Sequence, residues 1–170
     1  MAAHLAVPCT FTRGELATTL PRSRFDLDRF AQTMAARRAV RSSSELVALL
    51  RDRAEVRRAP PVVGRLGPYT DALIHHQDML IPLGLTDGRS AERWRPALDF
   101  LVSARGRIGF VPARLPGVRL VATDVEWMHG DGPQVEAPAA ALALAVTRRT
   151  PRLDELTGPG AGTLRAWAGG

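Results

Sequence analysis

Apolar positions recur at helical spacing over much of the chain. Between Phe25 and Val40, Leu27, Phe30, Ala31, Met34 and Ala35 fall on one face, opposite Asp and Arg, which predicts a first full helix. Ser42 followed by Glu45 forms a capping box ahead of Leu46, Leu49 and Leu50, so a second helix starts there and ends before Pro60-Pro61. A third takes Pro68 into its first turn, places Tyr69, Leu73, Ile74 and Leu80 at helical spacing, and closes at Pro82 and Gly84. A fourth opens at Ser90 and gathers Trp94, Ala97, Leu98, Leu101 and Val102 on one face. The first dozen residues, MAAHLAVPCTFT, read as the last turns of a helix stopped by Pro8. Together these elements predict a helical bundle.

The pattern changes after the Arg- and Gly-containing stretch 105–117. VRLVAT and VEWM, separated by Asp124, alternate with period two and precede the turn signal GDGP, which predicts a β-hairpin. PAAALALAV is then a short apolar helix opened by Pro138, and GPGAG precedes a final turn with Leu164 and Trp167. The expected organisation is mainly α, with a helical bundle over residues 1–104 and a small α+β domain, hairpin plus helix, over 105–170.

Composition narrows the class. Apolar residues make up 45% of the 170 positions and charged residues 24%, the balance of a folded globular chain. All 23 basic residues are Arg, so the formal charge of +6 reads as coding bias rather than a polyanion site. The pairs Arg37-Arg38, Arg57-Arg58 and Arg148-Arg149 are scattered without interleaved aromatic residues, which argues for solvated surface and against nucleic acid. One Cys excludes an internal disulfide, and Cys9, among apolar neighbours, reads as a buried inert thiol. No signal peptide or membrane-length apolar run is visible, so a cytoplasmic protein without a membrane partner is expected.

The chemistry lies in YTDALIHHQDMLIPLGL. Asp71, His75 and Asp78 are spaced four and three residues apart, so one helix projects all three from a single face. A carboxylate and an imidazole one turn apart can reach the same divalent ion. On spacing alone, a solvated i,i+4 surface pair is the favoured reading. His76 turns about 100° away from His75, and Asp78 suits the carboxylate that takes the second N–H of a metal-bound imidazole. His129 reads as a polar turn residue.

Three stretches resemble one family. AAHLA is similar to the AHL-bearing helix of the mycothiol-dependent maleylpyruvate isomerase-like proteins of actinobacteria, which belong to the DinB-like metal-binding bundles. DALIHHQDMLIPLGL resembles their acid, His, Asp and PLG signature. LVATDVEWMHGDGPQVEAPAAALALAV, with LDELTGPGAGTL, resembles their small C-terminal domain.

That resemblance implies a divalent metal held by His4, Asp71 and His75, with Asp71 standing where relatives often carry the longer Glu. Two imidazoles and one carboxylate leave coordination positions open, as a catalytic metal needs; zinc is the first choice, and iron, nickel or manganese also fit. It implies mycothiol as cofactor: the metal stabilises its thiolate, which adds to an activated double bond of a small substrate, the single bond rotates, and elimination yields the trans isomer, or the thiol is transferred instead. Arg side chains would clamp a dicarboxylate, with Arg89, Arg93 and Arg95 close to the motif. Relatives carry another helix and a Trp-Gly loop ahead of the AHL segment, so a bundle lacking its first helix is expected. A homodimer would cover the apolar face that this leaves. The alternative function is a truncated, non-catalytic metal-binding or interaction protein.

Overall fold

The computed structural model describes residues 1–56 and 63–170, apart from the side chain of Asp28. The chain is mainly helical with a small three-stranded sheet. It divides into two compact units, Met1–Pro68 and Tyr69–Gly170. This division falls at a different place from the boundary expected between residues 104 and 105. Pro60-Pro61 and Arg57-Arg58 lie outside the described residues.

The first unit contains α1 (Ala2–Leu5), α2 (Val7–Thr10), α3 (Arg13–Arg22), α4 (Leu27–Arg38) and α5 (Ser43–Asp52). Pro8 does not stop a helix, contrary to expectation. It sits in the first turn of α2, where its missing N–H costs nothing, and the break falls at Ala6 instead. Helix α3 was not expected. Thr12 and Glu15 form a capping box in which each side chain takes the other's backbone N–H, at 3.0 and 2.8 Å. Val7, Phe11, Phe30 and Met34 form the buried centre of this unit, with Leu16 and Leu20 packed against it. Phe11 and Phe30 meet edge to face at 6.4 Å. Ser42 caps α5 through the expected box with Glu45.

Arg38 corrects the reading of its pair as solvated surface. It is buried, and its guanidinium donates to the Met34 carbonyl at 3.0 Å, to Thr10 Oγ1 at 2.6 Å and to Glu15 at 3.4 Å. A buried guanidinium requires such partners to offset its lost hydration.

Helix α6 (Leu66–Leu80) crosses the division and ends in a 3₁₀ turn, Ile81–Leu83, closed by Gly84 in the left-handed conformation, φ 64°. In the second unit, Ser90 caps the 3₁₀ turn Ala91–Arg93, which leads into α7 (Trp94–Val102). Strands β1 (Arg119–Ala122) and β2 (Met128–His129) pair antiparallel, so the expected hairpin forms, though its second arm is only two residues long. A third strand, β3 (Gln134–Ala137), was not expected; it lies parallel to β1, giving the order β2-β1-β3. The turn between β2 and β3 requires glycine: Gly130 has φ 83°, and a Cβ there would lie 2.6 Å from the Val118 carbonyl oxygen.

Helix α8 (Ala139–Val146) is buried on every side and packs against α7, α9 (Ala161–Gly169) and β1, which is why its sequence is apolar all round. Pro138 at its N-cap offers no side-chain acceptor, and Asp124 Oδ1 takes the Ala139 N–H instead at 2.8 Å. The Trp127 indole donates to Asp99 of α7 at 2.8 Å, tying the hairpin turn to the helices. No helix among the described residues is long and apolar enough to cross a membrane.

Candidate metal centre

Helix α6 presents two different faces. Thr70, Leu73, Ile74 and Gln77 are buried, whereas Asp71, His75 and Asp78 are half-buried along the neighbouring stripe. The expected i, i+4, i+7 grouping is present. His75 stands between its two carboxylates: Nε2 lies 3.4 Å from Asp71 Oδ1, and Nδ1 lies 2.9 Å from Asp78 Oδ2. Hydrogen bonding to Asp71, opposed by burial and reinforced by the charges of Asp71 and Asp78, holds the imidazole above its ordinary pKa of 6.5.

Asp78 has a second partner. Arg149 Nε donates to Asp78 Oδ1 at 2.9 Å and to Oδ2 at 3.2 Å. The end of α8 delivers this side chain. The Arg149 N–H bonds to the Leu144 carbonyl at 2.9 Å and the Arg148 N–H to the Ala145 carbonyl at 3.0 Å, the two bonds of a Schellman turn. That turn puts Arg148 at φ 56°, a conformation usually given to Gly, and directs Arg149 back to α6. The sequence reading left Arg149 out, since it counted the Arg148-Arg149 pair as surface. The available signal was its position just past the end of an apolar helix.

His76 takes the other direction, as expected from helix geometry. Its Nδ1 lies 3.5 Å from Asp87 Oδ2 and contacts the Arg89 guanidinium. Arg89 donates through Nε to Asp87 Oδ1 at 2.8 Å and through Nη2 to Oδ2 at 2.9 Å, and this pairing holds Asp87 down to about 2. Gln77 completes the group with a 3.2 Å bond to Asp87. Arg89 is therefore committed to Asp87, and Arg95 lies 3.4 Å from Glu92.

His4 is half-buried on α1 of the first unit. His129 lies in β2 rather than in a turn, stacked over Trp127 at 6.2 Å with an interplanar angle of 21°. Cys9 is half-buried rather than buried, and its thiol donates to the Ala6 carbonyl at 3.2 Å.

Searches of protein-family models, curated proteins and solved structures find no match to this chain.

Proposed function

We propose that this chain is a divalent-metal, mycothiol-dependent enzyme of the maleylpyruvate isomerase-like type, built as a DinB-like bundle with a small C-terminal α+β part. Its ligands are His4, Asp71 and His75, with Asp78 behind His75. The observation that carries this reading is the setting of His75. With its Nδ1–H given to Asp78, a neutral ring carries its lone pair on Nε2, which faces Asp71 Oδ1 at 3.4 Å. Two donor atoms bound to one tetrahedral ion at about 2.0–2.1 Å lie roughly 3.3 Å apart, so the pair has the separation that shared coordination needs. With His4 as the third ligand, the proposed set is two imidazole nitrogens and one carboxylate oxygen. Such a set suits zinc first and tolerates iron, nickel or manganese.

A divalent ion held there would supply the positive charge that keeps a small thiol deprotonated at neutral pH. The protein's own groups set up that site. Asp78 fixes the tautomer and orientation of His75. Arg149 fixes Asp78 and offsets its charge, and Asp71 brings one negative charge toward the cation. On this reading the partners are mycothiol and a small electrophilic substrate, and the setting is the cytoplasm. The homodimer belonging to the same reading is checked by sedimentation equilibrium, where monomer alone contradicts it.

One observation favours a second reading. An imidazole between two carboxylates is also a stable imidazolium ion pair, and a non-catalytic interaction protein needs nothing more. Assay of zinc-loaded protein with maleylpyruvate and mycothiol separates the two. Isomerisation that requires both thiol and metal, and that His75→Ala abolishes, supports the enzyme. Loaded protein without turnover supports the second reading.

A further inference from the structure

Two of the cavities in the second unit differ in how their charged side chains are spent. The larger, of 450 Å³, includes Arg89 and Arg152. Arg89 is paired with Asp87, and Arg152 is bound through two nitrogens to Glu155, so neither cation is left for a guest. The smaller, of 310 Å³, includes Arg107 and Arg114, and among the described residues neither guanidinium makes an ion pair or hydrogen bond.

The rest of the smaller cavity has an order of its own. Leu101, Val111 and Leu120 are buried and supply an apolar floor. His129 forms part of the wall, held flat by its stack on Trp127. Arg114 is pinned at its backbone, whose carbonyl accepts the Trp167 indole N–H at 3.0 Å. Asp131 is the one carboxylate of the lining, so two guanidiniums against one carboxylate leave a surplus positive charge. An apolar floor with a few convergent polar groups is the usual form of a small-molecule site, and a planar guanidinium matches a carboxylate in shape and charge.

We infer that this cavity between α7, β1 and the stretch 105–117 is a binding site for a small organic monocarboxylate with a compact apolar body, its carboxylate held by Arg107 and Arg114 and its hydrocarbon part on Leu101, Val111 and Leu120. The site stands independently of the proposed metal centre. Loss of metal binding leaves it untouched.

Benzoate is the probe, with neutral benzamide and inorganic phosphate as controls, followed by amide NMR shifts on the protein as purified. The expected result is saturable benzoate shifts at Gly117 and Gly130, which line the cavity. Affinity should fall about tenfold or more in Arg107→Ala and in Arg114→Ala, while Arg89→Ala binds as the native chain does. Benzamide and phosphate should bind far more weakly. Both target arginines are exposed, so the variants keep the fold, and far-ultraviolet circular dichroism verifies it. Absence of benzoate shifts at Gly117 and Gly130, indifference to both Arg107→Ala and Arg114→Ala, or phosphate binding as tight as benzoate overturns the assignment.

Discussion

Arg149 and Asp78 are 71 positions apart in sequence, and the Arg149 guanidinium holds both oxygens of the Asp78 carboxylate, at 2.9 and 3.2 Å. Asp78 in turn holds His75 Nδ1 at 2.9 Å. The last turn of α8 thereby reaches the candidate metal centre on α6 through one carboxylate.

This chain of contacts predicts the effect of Arg149→Ala. Asp78 keeps its charge but loses the group that fixes it, and His75 loses a fixed orientation. Carboxylates behind metal-bound histidines are worth about 10- to 100-fold in metal affinity. We expect a loss in that range for Asp78→Asn and a smaller one for Arg149→Ala, read by competition with a chromophoric zinc chelator. Unchanged affinity in both variants refutes the connection.

The setting of His75 predicts opposite pH trends for the metal-free and metal-loaded chain. Its folded pKa is raised, so the ion pair with Asp71 and Asp78 stabilises fully below the ordinary value of 6.5 and is lost as pH rises through the higher folded value. Metal uptake needs the neutral ring, so it strengthens over that same rise. NMR titration of the metal-free chain should give a His75 midpoint above 6.5. A midpoint at or below that value contradicts the geometry of two flanking carboxylates.

Thr70 offers a test of stability near the site. Its side chain is fully buried, and among the described residues its hydroxyl has no hydrogen-bond partner. A buried hydroxyl without a partner has lost its hydration with no return, so Thr70→Val, which keeps the shape, should stabilise by about 1 kcal/mol. Urea unfolding monitored by tryptophan fluorescence measures the change. A comparable loss of stability would show that the hydroxyl is satisfied.

The helices with broad apolar faces were legible in the sequence, because burial of Phe30 and Met34, or of Trp94, Leu98 and Leu101, imposes the 3.6-residue period directly. Helix α3 was not, since Leu16 and Leu20 are the only large apolar residues in RGELATTLPR, too few to show a helical period. Its Thr12 and Glu15 box carried the same signal as Ser42 and Glu45. Strand β3 was hidden for another reason: four residues, two of them Gln134 and Glu136, become a strand only by pairing with β1, which local pattern does not report. At the site, the stripe of Asp71, His75 and Asp78 follows from helical spacing alone. The Arg149 contact depends on where the chain returns after α8, and no local pattern encodes that distance.

Metal content of the purified chain, measured by elemental mass spectrometry beside His75→Ala and His4→Ala, tests the central claim most directly. Near-stoichiometric divalent metal in the native chain, lost in His75→Ala and reduced in His4→Ala, is the predicted result. Metal absent from the native chain even after zinc reconstitution, or retained equally in His75→Ala, would contradict it and leave His75 as one member of an ion-pair network.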